Sequence, residues 1–163
     1  MDIKVFLNLK AEEYNNSSFI KDDPIQIPHL FNKKEDIEIS GFLTSTISWG
    51  NRKSIITSSI KMMKLMDNDP HNFIINHSEK DLKKLLKFVH RTFNGYDFIQ
   101  FITSLKHIYM NYGGLERVLL KILKISQCTI LFMNSKKFFL KFLIRIERKN
   151  MFLIPLKDLH LKG

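Results

Sequence analysis

The run IEISGFLTSTISWGNRKSII, from Ile37 to Ile56, does most to limit what this chain can fold into. Ile37, Ile39, Phe42, Leu43, Thr46 and Ile47 fit one broad face of a helix, because side chains three and four residues apart share a side. Gly50 suits a positive φ that stops a helix, and Asn51 is a favourable first cap for another. The pattern therefore predicts a helix, a sharp Trp49–Lys53 corner and a second helix. Gly41, inside the first helix, costs about 1 kcal/mol relative to alanine, which points to a closely packed neighbour.

The corner is also where chemistry is most legible. Arg52 and Lys53 fall in the first turn of the second helix, where the backbone already carries positive partial charge. Two cations beside N–H groups without intrahelical partners suit an anion such as a phosphate. The plainer reading is a solvated basic pair, with Trp49 as a core or staple residue.

Composition narrows the class. A chain of 163 residues suits one domain. No apolar run reaches the length of a membrane span, and the first residues lack the basic start, apolar run and cleavage site of a signal peptide. Cys128 is the single cysteine, which excludes an internal disulfide and a cysteine-based zinc site. A cytoplasmic location is the default expectation. The net charge of +10 draws attention to nucleic acid. Its distribution says more. Residues 117–163 hold 11 of the 26 Lys and Arg residues but 2 of the 16 acids, leaving residues 1–116 nearly neutral.

The rest of the front half punctuates helices. Asp2 to Tyr14 reads as a first helix with Ile3, Val5, Phe6 and Leu9 apolar, and Asn15 to Ser18 as a polar break. Asp22-Asp23-Pro24 and Ile27-Pro28 mark an extended connection, since a residue before proline is biased away from helix. Lys33 to Asp36 leads into the central helix. After the corner, Ile55, Ile56, Ile60, Met63 and Leu65 continue a stripe to about Met66, with Met62, Met63 and Met66 as core filler. Asp69 and Pro70 open a short helix through Ile75. Ser78 and Asp81 form a capping-box pattern ahead of Leu82, Leu85, Leu86 and Val89. Lys80, Lys83, Lys84 and Lys87 lie opposite, as a solvated face or as phosphate contacts. His90 to Gly95 reads as a turn centred on Asn94-Gly95. His90 and Arg91 are placed at a helix end, where they complement the dipole or contact a ligand. Asp97 caps a last helix bearing Phe98, Phe101, Ile102, Leu105, Ile108 and Tyr109, which Gly113-Gly114 ends. There is no Gly-rich phosphate loop, no His pair at metal spacing and no Gly-x-Ser-x-Gly elbow, so neither catalytic nor metal residues are assigned and no cofactor is implied.

The segments DPIQIPHLF, DIEISGFLTSTISWGNRKSI, FVHRTFNGYDF and NYGGLE resemble an uncharacterised bacterial family with a domain of unknown function, over most of residues 1–116. More distantly, the central run is similar to the early helices of helix-hairpin-helix DNA glycosylases of the endonuclease III type. That resemblance implies an all-α, glycosylase-like fold and a role at nucleic-acid bases. The candidate phosphate or nucleic-acid contacts read from the residues are Trp49, Asn51, Arg52 and Lys53 with His90, Arg91 and Asn94. Ser48 stands where endonuclease III carries a duplex-probing glutamine, and no counterpart of the glycosylases' catalytic-aspartate segment is present. A noncatalytic helical module that docks phosphate, nucleic acid or an acidic partner is the alternative.

After Glu116 the acids nearly vanish and Lys, Phe, Leu and Ile dominate. That bias is what an AT-rich gene yields when read out of frame. Synonymous codons for Arg117 to Gly163 exist whose reading, begun one nucleotide earlier, ends in HVSNPFKGSASKR. That is the polar, basic loop expected of the family here. Residues 1–116 are thus expected to be an incomplete family domain and residues 117–163 an out-of-frame tail. Such a tail draws helix, for example over Phe138 to Leu143, without native partners.

Overall fold

The fold is all-α, with a single hairpin of two-residue strands among the described residues, and its elements follow from caps and turn residues more than from long apolar runs. A computed structural model describes residues 2–15 and 17–125. Helix α1, Ile3–Tyr14, starts at Asp2, whose side chain accepts the Lys4 N–H at 3.0 Å. None of its residues is buried. The expected polar break after it is short, because Ser17–Lys21 already forms α2. The expected extended connection is also tighter than read. Pro24–Gln26 and Pro28–Leu30 are 3-10 turns, each opened by its proline. Asp23 is extended, as a residue before proline should be, but Ile27 is helical at φ −65°, ψ −53°. Burial explains the exception, since Ile27 is fully enclosed in the core.

Helix α3, Lys34–Thr46, begins three residues before the apolar run. Ile39, Leu43 and Ile47 are buried, but Ile37 is exposed, and Ser40 and Thr44 share the inner side. Gly41 faces Pro28, where an added Cβ would meet ring carbons at 3.7 and 3.8 Å. That is ordinary contact, so close approach does not require this glycine. Helix α4, Arg52–Leu65, buries Ile55, Ser59, Met62 and Met63. Met66 is buried just beyond it. Asp67 and Asn68 then turn the chain with φ of 57° and 55°.

Helix α5, Pro70–Asn76, is capped by Asp69, and α6, Glu79–Leu85, by a reciprocal Ser78–Asp81 box. The helical spacing expected through Val89 is not kept. The helix ends at Leu85, and Val89 lies in a strand, 62% exposed. Strand β1, Val89–His90, pairs antiparallel with β2, Phe93–Asn94, which puts Arg91 and Thr92 at the turn. The turn is therefore not centred on Asn94-Gly95. Asn94 is the first cap of α7, Gly95–Tyr112, and Asp97 is its box partner, not the cap. Gly113 ends α7 at φ 73°, and α8 runs Leu115–Ile125.

Aromatic side chains hold the hairpin in place. Phe88 lies 5.3 Å from Phe98 and 6.0 Å from Phe93, and Phe93 lies 5.5 Å from Phe101, ring centre to ring centre. Phe88, Phe93 and Phe98 are fully buried, each contributing about 1.5–3 kcal/mol of burial. This cluster pins the strands onto α7 and so fixes the residues between them. A second tie joins α3 to α5 and α7. The buried Asp36 carboxylate accepts the His71 N–H at 2.8 Å, and Tyr109 donates its hydroxyl to Glu38 at 2.8 Å. Burial, then Glu38, pushes the Tyr109 phenol well above its usual range. Lys34 pairs with Glu116 on α8. Residues Met1–Ile122 form one compact unit, and Leu115 and Val118 are buried in it. From residue 126 onward, Cys128 and the expected Phe138–Leu143 segment lie outside the described residues.

Candidate functional site: a basic corner

The corner is built as the sequence suggests, though α3 stops earlier. The Thr46 turn is the last of α3, and the Trp49 N–H then bonds to the Ile47 carbonyl at 2.8 Å. Gly50 has φ +100°, a conformation that side-chain-bearing residues rarely adopt. Asn51 caps α4, its side-chain oxygen accepting the Ser54 N–H at 3.2 Å. By helix geometry the N–H groups of Arg52 and Lys53 have no intrahelical acceptor.

Two segments 41 residues apart in sequence meet here, Trp49 with His90 and Gly50 with Arg91. The Arg91 guanidinium lies against Gly50. A Cβ built on Gly50 would sit 2.5 Å from its Cζ and 3.1 Å from its Nε. Arg91 itself has φ 55°, an uncommon value for a side chain of its size. The Trp49 ring meets His90 edge-on, with centres 5.8 Å apart and planes at 75°. Trp49 is half-buried, and Lys53 and Arg91 are exposed.

His90 does not stand at a helix end, as the sequence reading placed it. It is 4% exposed beneath the corner, with Nδ1 at 2.7 Å from the Ser58 hydroxyl of α4. Its Nε2 is buried without a hydrogen-bond partner among the described residues. Burial, and then the Arg91 cation, holds its pKa below the ordinary value, with the Ile47 carbonyl acting the other way.

Arg52 is not a bare cation. Its Nε lies 3.8 Å from the Asp23 carboxylate, and its guanidinium covers the Phe19 ring at 5.8 Å. At that distance and exposure the ion pair contributes little, about 0–1 kcal/mol. Asn94 takes part differently. Its side-chain oxygen accepts the N–H groups of Tyr96 and Asp97 at 2.9 and 3.1 Å. Six of the seven sequence-selected residues are thus in or beside the corner, and Asn94 is engaged as a helix cap. Sequence reasoning missed Asp23 and Ser58. The first stands in a cap-and-proline pattern that signals only a turn, and nothing local marks the second as a histidine partner.

A cleft of about 460 Å³ opens next to Gly50 and Arg52, between α3, α4 and the two 3-10 turns. Asp23, Thr44, Ser45 and Ser48 supply its polar lining. The hydroxyls of Ser45 and Ser48 donate back to the Phe42 and Thr44 carbonyls at 2.8 and 2.7 Å. Among the described residues no group of His, Cys, Asp or Glu is arranged to hold a metal ion, and no helix is long and apolar enough to cross a membrane.

Fold and corner together define an all-α domain in which the hairpin turn and the start of α4 bring basic side chains together. The chain belongs to the family described as Protein of unknown function (DUF2400), whose model matches residues 23–159. The match begins after α1 and α2 and continues beyond Glu116. No curated protein and no solved structure matches the chain.

Proposed function

We propose that this chain is a helical module that binds nucleic acid through its phosphate backbone, at the corner formed by Trp49, Asn51, Arg52, Lys53, His90 and Arg91. The observation that carries the reading is the seating of Arg91 on Gly50. It adds a third cation to the two at the start of α4, beside N–H groups that already favour an anion. Arginine suits phosphate because its planar fork donates two parallel hydrogen bonds. Trp49, half-buried, packs its ring on His90 within the same corner. The test is the affinity of a labelled single-stranded oligonucleotide, and of its duplex, for the full chain and for Arg91→Ala and Arg52→Ala. Each substitution weakens binding several-fold at low salt. Unchanged binding in both variants rejects the corner.

A second reading, base chemistry of the glycosylase kind, is supported by the motif resemblance and by the cleft beside the corner, which is large enough to admit a base. Enzymes that act on bases turn the base out of the stack into such a pocket. We assign that chemistry to longer members of the family and read this chain as inactive. An assay of base release from damaged-base DNA, with a longer family member beside this chain, separates the two. Release by the longer protein alone supports the assignment, and release by neither leaves only the binding module.

The tail belongs to the same proposal. We read residues 117–163 as the product of a one-nucleotide slip at the Glu116/Arg117 boundary. The compositional break supports this, and the family match through residue 159 counts against it. Reading the gene across codons 114–120 in several isolates decides the matter, and an uninterrupted frame in all of them refutes the slip.

A further inference from the structure

His90 is buried, yet it touches both halves of the corner. Its ring lies edge-on to Trp49, its Nδ1 is 2.7 Å from Ser58, and its neighbour Arg91 reaches Gly50. We propose that Ser58, His90 and Trp49 form a proton-sensitive support for the corner, so that protonating His90 unseats Trp49 and Arg91 and weakens the hold on a polyanion. The inference rests on the binding reading above, but its first readout does not.

The physical case is a count of donors. In neutral imidazole one nitrogen donates, and in imidazolium both do. Ser58 must then accept from Nδ1, and Nε2–H needs an acceptor where it has none among the described residues. The Ile47 carbonyl is the backbone group that favours the charged ring, and it already accepts the Trp49 N–H at 2.8 Å. A protonated His90 therefore brings a second donor to a carbonyl that already holds the Trp49 backbone N–H, inside the turn that leads to Gly50, while burial and the Arg91 cation oppose its charge. The hairpin presents Arg91, α4 presents the Ser58 hydroxyl, and the end of α3 presents the Ile47 carbonyl and the Trp49 indole. Among these only Arg91 carries charge, and its sign opposes a second cation.

The chain's single tryptophan is Trp49, so its emission reports on this contact alone. The full chain is titrated from about pH 8 to about pH 5, spanning the range in which histidine changes charge, with far-UV ellipticity followed in parallel. We expect a change in Trp49 emission centred below the ordinary histidine value but within this range, with ellipticity unchanged. His90→Gln abolishes it, and Ser58→Ala moves its midpoint. If His90→Gln does not fold, the Ser58→Ala midpoint carries the test. Flat emission overturns the proposal, as does a change coincident with loss of ellipticity, one that persists in His90→Gln, or one that Ser58→Ala leaves in place. Oligonucleotide affinity over the same range is the second readout. Added positive charge alone strengthens polyanion binding as pH falls, whereas a released corner weakens it, several-fold if one cation–phosphate contact is lost. Affinity that rises on acidification overturns the coupling to binding. An oligonucleotide that binds at no pH fails the binding reading while the emission result still judges the support.

Discussion

The Arg91 guanidinium lies on the face of Gly50 where any other residue would carry its Cβ, 2.5 Å from Cζ. The hairpin turn and the start of α4 thus share one small volume, and Gly50 serves two needs there. It supplies φ +100° and it leaves room for the cation. Gly50→Ala is expected to cost about 1–2 kcal/mol from backbone strain and to lower oligonucleotide affinity as far as Arg91→Ala does. Chemical denaturation and fluorescence anisotropy on the same variants check both. Full affinity in Gly50→Ala would separate Arg91 from the corner.

Two other glycines behave oppositely. A Cβ on Gly95 would lie 2.5 Å from the Leu86 carbonyl oxygen and 2.6 Å from that of Leu85. Both are backbone atoms, so neither can swing aside. Gly95→Ala is expected to lose about 2–3 kcal/mol. Gly41→Ala meets only ordinary contact with Pro28 and is expected to be neutral or to gain up to about 1 kcal/mol. Urea midpoints measure the pair, and a larger loss at Gly41 than at Gly95 contradicts the packing described.

Asp36 ties two helices that sequence alone leaves unconnected. Its buried carboxylate accepts the His71 N–H at 2.8 Å. Asp36→Ala leaves that N–H without its acceptor and is expected to cost about 1–3 kcal/mol. Thermal denaturation of the variant checks it, and an unchanged midpoint would mean the bond is dispensable.

Acid should destabilise the fold through its histidines. His90 is held below its ordinary pKa by burial and then Arg91, and His77 by burial and then Lys106. Below about pH 6.5 the unfolded chain takes up these protons before the folded chain does, so stability falls as pH falls. The contribution is level above that range and levels again once the folded histidines titrate. Each group adds a slope of at most about 1.4 kcal/mol per pH unit. Unfolding free energies between about pH 8 and pH 5 measure it, and His90→Gln should flatten the curve. A curve as steep in that variant as in the parent chain assigns the effect elsewhere.

Much of this fold was legible because its helices are punctuated by local chemistry. Asn51, Asp69 and the Ser78–Asp81 pair cap where their patterns predict, since a cap needs only residues three or four apart. Gly50 and Gly113 take the positive φ assigned to them. Misreadings arose where distant packing outweighed local preference. Ile27 turns helical because it is buried. Val89 leaves its helical spacing because Phe88 and Phe93 draw the chain into a hairpin. Within the candidate site, residue types were readable but their partners were not. Nothing near Arg52 in sequence announces Asp23, and nothing near His90 announces Ser58.

The most direct test of the corner is the salt dependence of oligonucleotide affinity, compared among the parent chain, Arg52→Ala, Arg91→Ala and their double variant. It matters because residues 117–163 hold 11 Lys and Arg of their own and can bind a polyanion without any corner. If Arg52 and Arg91 each neutralise a phosphate, the slope of log affinity against log salt shrinks by about 0.7–0.9 for each one removed, and by the sum in the double variant. Four parallel lines of equal affinity would place the binding elsewhere and contradict the account.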